Sequence, residues 1–384
     1  MKVLFAFGTR PEAIKLAPVI KYLQLDPARF DVKVCFTSQH KEMLRQVTDF
    51  FSIREDVDLD VMTHDQTLEY VTASVVTRMR DVLLEFRPDI LLVQGDTTTV
   101  FAAALAAYYH KVKVGHVEAG LRTFQKYSPF PEEMNRKLAS ALTDFHFTPT
   151  ELATSNLRKE GVDPTTIFQT GNTVIDALQL CQEMLRDFDS DQRMRLLADA
   201  GLSEDFSMRL FRNESRLILV TAHRRESFGE PFQDMCMAMN DIVDKFADVE
   251  IVYPVHPNPN VQKTVNALLH GRERIHLIAP VRYEQLVDLM SRSTLILTDS
   301  GGIQEEAPSL HKPVLVMREV TERPEGVDAG VAILLGTKRE NIVRHVSELL
   351  ENEVAYAAMT NLPNPYGDGR ASERIAEVLM NNVS

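Results

Sequence analysis

At 384 residues the chain exceeds what one ordinary hydrophobic core organises, so two domains of roughly 150 to 200 residues are expected. Hydrophobic residues make up 44% and charged residues 25%, as in a globular protein, and no apolar run approaches the ~18 residues that cross a bilayer, so no membrane partner is expected. A net charge of −13 argues against nucleic acid or acidic membrane surfaces as partners, so any anionic ligand must be met by a local site.

The opening stretch, MKVLFAFGTR, has one Lys followed by five apolar residues before Gly8. That run is shorter than a signal-peptide core and predicts a first buried strand in a cytoplasmic protein. Further strands are predicted at 31–37, 89–94, 113–118 and 144–148. A second series follows at 216–222, 249–255, 274–280, 294–299, 312–317 and 331–336. Their near-continuous Val, Ile and Leu mark strands buried on both faces. Between them lie helical patterns, such as the stripe of Ala13, Leu16, Ala17, Ile20 and Leu23. Strand and helix alternating this often predict an α/β fold with two doubly wound parallel sheets. The expected division is 1–188 for the first domain, 189–365 for the second, and 366–384 as a terminal helix returning to the first. The charged stretch 189–214 reads as a connector with an irregular helix. Cys35, Cys181 and Cys236 lie far apart without a Cys-x-x-Cys pair and are expected to be packing residues.

Unusual polar residues follow the predicted strands, which is where parallel α/β sheets bind ligands. In FGTRPEAIK, Thr9 is an expected N-cap, and Arg10 and Lys15 sit near a helix N-terminus where unpaired N–H groups favour an anion. An ordinary capped turn with surface cations reads equally well there. Asp96, in GDTTT, is either the cap of the next helix or a functional carboxylate. Glu118 closes VGHVE, and Glu132 and Glu133 start a helix after a proline. A carboxyl group partly removed from water can be tuned for acid or base work. Glu in a first helical turn is also a common helix starter. In the second half, TAHRRESFG sets His223 beside Arg224 and Arg225, a pattern suited to oxyanions. His256 follows IVYPV, and TDSGGIQEEAPSL combines Asp299 with the small residues Ser300, Gly301 and Gly302. The ligand types among Asp96, Glu118, His223 and His256 lack metal-site spacing, so no metal is expected.

Taken in order, FGTRPEAIK, TSQHKEML, GDTTT, GHVEAGLRT, SPFPEEMNR, GNTVIDAL, TAHRRESFG, YPVHPNP, TDSGGIQEEAPSL, KPVLVMREVTERPEG and NPYGDGRAS closely resemble the bacterial non-hydrolysing UDP-N-acetylglucosamine 2-epimerases. The resemblance runs through nearly the whole chain. It implies a GT-B type fold, two Rossmann-like domains facing across a cleft, and a homodimer. It implies interconversion of UDP-N-acetylglucosamine and UDP-N-acetylmannosamine for surface polysaccharides, through 2-acetamidoglucal and bound UDP, with no cofactor. By motif match Asp96, Glu118 and Glu132 are the acid/base candidates, with His223 near the phosphates. Arg10, Lys15 and the amides of Ser300, Gly301 and Gly302 would hold the diphosphate, Glu306 the ribose, and Val281 and Leu286 the uracil. Arg323 matches a ligand-contacting position. Gln39, Glu132, Arg224 and His256 match a regulatory site for UDP-N-acetylglucosamine, in which Glu42 and Asp65 stand where some relatives carry Gln and Arg. Asp299 reads as a turn-capping residue and Glu305 as a residue that need not touch the ligand. The rival within enzymes is a hydrolysing epimerase that releases N-acetylmannosamine and UDP. A nucleotide-sugar transferase would share the fold class, and a binding protein would use the same cleft without chemistry.

Overall fold

The computed structural model describes residues 1–37, 41–61 and 66–383. The chain separates into two compact units, Met1–Leu180 with Tyr366–Ser384, and Cys181–Pro365. The division falls inside the helix Thr173–Arg186, a few residues before the position 188 expected from composition.

The first unit holds seven strands: β1 (Lys2–Phe7), β2 (Asp31–Phe36), β3 (Val57–Asp58), β4 (Ile90–Gln94), β5 (Lys113–Val117), β6 (Phe145–Thr148) and β7 (Ile167–Gln169). They form one parallel sheet in the order β3-β2-β1-β4-β5-β6-β7. The central strands are apolar almost throughout because both faces are covered by helices: Val3 to Phe7 and Ile90 to Gln94 are all buried. Chain order reverses between neighbouring β1 and β4, so the loops after them diverge and open a crevice at their carboxyl ends. The last helix, Ala371–Asn382, packs on Arg10–Gln24 within this unit. Buried Asp176 fixes its start by accepting the N–H groups of Ala371 and Ser372 at 3.2 and 2.7 Å.

The second unit has six strands: β8 (Arg216–Thr221), β9 (Val249–Pro254), β10 (Ile275–Ile278), β11 (Ser293–Thr298), β12 (Val314–Val316) and β13 (Ala332–Leu334). They too are parallel, in the order β10-β9-β8-β11-β12-β13, with the reversal between β8 and β11. The charged stretch after the division forms two capped helices, Ser190–Asp199 and Glu204–Phe211. None of the described helices is long and apolar enough to cross a membrane.

Candidate functional site

In the first unit the polar residues gather at the carboxyl ends of β4 and β5. The register sets Gln94 opposite Val117, so the ends of these strands bring Gln94 against Glu118. Glu118 is 8% exposed, and its two oxygens accept from Lys15 Nζ at 2.5 Å and from Gln94 Nε2. Its backbone sits at φ +63°, a left-handed conformation that costs a non-glycine residue about 1–3 kcal/mol and tends to survive where function demands it. Gly95, with φ +81°, lets the chain turn tightly beside it; a side chain there would approach Glu118 Oε2. The loop is held from below by fully buried His116, whose Nε2 lies 2.7 Å from the Gly95 carbonyl oxygen. Burial pushes the His116 imidazole down to about 4, so it donates there as a neutral ring.

Asp96 is not the cap of the following helix. Thr97 is, accepting from the Val100 amide, and Asp96 instead receives Nε and Nη2 of Arg136 at 3.0 and 2.6 Å. The paired glutamates divide in role. Glu133 is fully buried and accepts the N–H groups of Thr123 and Phe124, both at 3.0 Å, which pins the loop ahead of its helix. Glu132 keeps a buried oxygen, Oε2, with no hydrogen-bond partner among the described residues.

The ammonium of Lys15, expected near a ligand's anion, pairs with buried Glu118. The amides of Gly8 and Thr9, just ahead of helix Arg10–Gln24, both donate to Glu12 Oε2. Arg10 is the partly exposed first residue of that helix.

In the second unit the register pairs Thr221 with Thr298, and their hydroxyls lie 2.6 Å apart at the ends of β8 and β11. The loops that follow are joined by Asp299, which is fully buried. Its Oδ2 accepts the His223 and Arg224 amides at 2.6 and 2.7 Å, and its Oδ1 lies 3.3 Å from His223 Nδ1. Asp299 therefore braces the neighbouring loop rather than capping its own turn, because the N-cap of the next helix is Ser300. The His223 ring is 37% exposed and stacks on His256, with centroids 5.1 Å apart. Partial burial lowers the His256 pKa, with His223 adding to the effect and Asp299 opposing it.

Helix Gly301–Glu306 starts directly after this brace. The Ser300 amide, expected among the phosphate donors, is committed to Thr298 Oγ1 at 2.9 Å, so the backbone donors here are those of Gly301 and Gly302 in a first turn that lacks intrahelical acceptors. Arg323 lies over Gly301, where a side chain would come within 3.7 Å of its Nη2. Its Nε is paired with buried Glu305, so that acid orients the guanidinium. Glu306 Oε2 accepts from the Tyr283 hydroxyl at 3.0 Å. Val281 is buried and Leu286 half-buried, flanking the start of helix Tyr283–Arg292. Among the described residues no three or more His, Cys, Asp or Glu side chains gather as a metal would need.

A family profile described as UDP-N-acetylglucosamine 2-epimerase matches residues 23–380. The chain belongs to that family. A UDP-N-acetylglucosamine 2-epimerase of Escherichia coli strain K12 is 51% identical over 382 residues, covering 100% of this chain and 99% of that protein. The crystal structure of the Neisseria meningitidis UDP-GlcNAc 2-epimerase bound to UDP-GlcNAc superposes with a TM-score of 0.88 at 47% identity, covering 100% of both chains. The Methanocaldococcus jannaschii UDP-GlcNAc 2-epimerase in complex with UDP-GlcNAc and UDP gives 0.78 at 32% identity, again over 100% of both. Membership in the 2-epimerase family makes the chain an isomerase, and its two doubly wound parallel-sheet units match those of its structural neighbours.

Within this epimerase fold, sequence reasoning overlooked Gln94, Arg136, Tyr283 and Glu12. Gln94 carried a signal, being a polar residue that ends an otherwise apolar strand at its carboxyl end. Arg136 and Tyr283 lie on helices and gave no periodic signal. Of the regulatory candidates, Arg224 and His256 flank the Asp299 brace, Glu42 is exposed in the first turn of Lys41–Phe50, and Gln39 and Asp65 lie outside the described residues.

Proposed function

We propose that the chain reversibly epimerises carbon 2 of UDP-N-acetylglucosamine, giving UDP-N-acetylmannosamine without releasing free sugar. The proton at carbon 2 is weakly acidic, so direct removal is unfavourable. Elimination instead moves that proton to a carboxylate while the bond from carbon 1 to the UDP oxygen breaks. The electron pair leaves with UDP, and 2-acetamidoglucal carries the new double bond. Protonation of the opposite face of carbon 2 and re-addition of UDP give the epimer, with no net change in oxidation state.

Asp96, Glu118 and Glu132 are the proton-handling residues of this reading. Gly301, Gly302, Arg323 and Arg10, with the Ser300 hydroxyl, meet the diphosphate, and His223 lies near it. Glu306 accepts the ribose hydroxyls, while Val281 and Leu286 border the uracil. Arg224 and His256, with Gln39 and Glu42, serve activation by a second UDP-N-acetylglucosamine. We place the enzyme in the cytoplasm as a homodimer supplying a surface polysaccharide route. The observation that supports the reading most is Glu118: a buried carboxylate in left-handed backbone at a strand's carboxyl end, held between an ammonium and an amide. A proton NMR time course with UDP-N-acetylglucosamine tests it. UDP-N-acetylmannosamine should accumulate to equilibrium; free N-acetylmannosamine formed in step with turnover would replace this reading with hydrolysis.

A further inference from the structure

The crevice of the first unit lies where β1 and β4 part, and its loops need a fixed spacing if residues on both are to act together. Glu12, the third residue of helix Arg10–Gln24, lies between them and is 2% exposed. One oxygen, Oε2, accepts the N–H groups of Gly8 and Thr9 at 3.0 and 2.7 Å, and Oε1 accepts the Thr97 hydroxyl at 2.6 Å. The first two donors precede Arg10, and the third follows Asp96. Burying a carboxyl group is costly unless its hydrogen bonds are made, so an apolar residue would fill this space more cheaply. A carboxylate here makes sense as an acceptor that two loops share.

We propose that Glu12 is a positioning residue of the epimerase, clipping the loop that carries Arg10 to the loop that carries Asp96. The proposal rests on Asp96 acting in proton transfer.

Steady-state turnover and UDP titration of Glu12→Ala and Glu12→Gln test it. Misplacement on the scale of 1 Å can cost about 100-fold in rate, so Glu12→Ala should lower kcat at least ~30-fold while UDP Kd rises no more than about fivefold, since Arg10 is one of several diphosphate contacts. The glutamine carbonyl can still accept both amides and its NH2 group can face Thr97, so Glu12→Gln should recover to within about fivefold of wild type. Near-wild-type kcat in Glu12→Ala, no recovery in Glu12→Gln, or a parallel fall in UDP affinity would each overturn the proposal. If Glu12→Ala does not fold, Thr97→Asp keeps an acceptor to cap the Val100 amide but has no hydrogen to give Glu12: kcat down about tenfold or more supports the clip, and unchanged kcat overturns it. Wild-type protein that cannot turn over UDP-N-acetylglucosamine would sink the functional reading itself, whereas active wild type matched by Glu12→Ala sinks only this inference.

Discussion

Replacing Glu118 with glutamine keeps the side-chain volume and removes the charge. In the native site both carboxylate oxygens face donors, Lys15 on one side and Gln94 on the other. A glutamine there must turn its NH2 group toward one of them, leaving a partner unsatisfied at a cost of about 1–3 kcal/mol. That stability loss is moderate, since the left-handed backbone strain is the same for both residues. The effect on rate is larger. A positioned acid or base contributes roughly 10²- to 10⁴-fold, equivalent to about 2.7 to 5.4 kcal/mol on the barrier. Glu118→Gln should therefore lose at least ~100-fold in kcat. UDP Kd should stay within about threefold, because Glu118 is assigned to the proton at the sugar and not to the UDP contacts. Product formation by proton NMR, UDP titration by calorimetry and a thermal melt separate these terms. A kcat within tenfold of wild type, or UDP affinity lost by the same factor as rate, would refute the assignment.

Two further predictions concern the second unit. Glu306→Gln should weaken UDP about 10- to 100-fold, the worth of hydrogen bonds to a charged acceptor, and calorimetry showing an unchanged Kd would remove Glu306 from the ribose. Glu250, buried beneath Arg209 and His276, is pushed up by burial, but the bonds from His276 and Arg209 outweigh this and hold it at about 2, against an ordinary 4.5. A depressed folded pKa adds stability that is present above about pH 4.5 and lost as pH falls toward 2. The stability gap between wild type and Arg209→Met in urea unfolding should accordingly shrink by roughly 1–2 kcal/mol across that window, after allowing for solvent screening; a constant gap would count against it.

Much of the fold was legible because parallel strands buried on both faces announce themselves as apolar runs. All eleven predicted strands correspond to observed ones, from Lys2–Phe7 to Ala332–Leu334. The two overlooked strands, Val57–Asp58 and Ile167–Gln169, are short sheet edges where two or three residues cannot establish a period. Polar residues that follow a strand were legible in position, as at Glu118 and Asp299, although Asp299 braces the neighbouring loop rather than capping its own turn. The site was not legible where a tertiary partner decides the role. Nothing local distinguishes Glu132 from Glu133, yet one accepts two loop amides and the other keeps a buried oxygen without a partner among the described residues. Likewise, Glu305 and Glu306 are parted only by Arg323 and Tyr283, which arrive from elsewhere in the chain.

The central claim is that the bond between carbon 1 and UDP breaks during epimerisation. UDP-N-acetylglucosamine carrying oxygen-18 in that bridge tests it most directly, read by phosphorus NMR as turnover proceeds. If UDP departs and returns, its β-phosphate can rotate in the interval, and the label should spread into the non-bridging positions of recovered substrate and product. Label kept wholly in the bridge through repeated turnovers would contradict elimination and require the proton to be removed from carbon 2 with the sugar still attached to UDP.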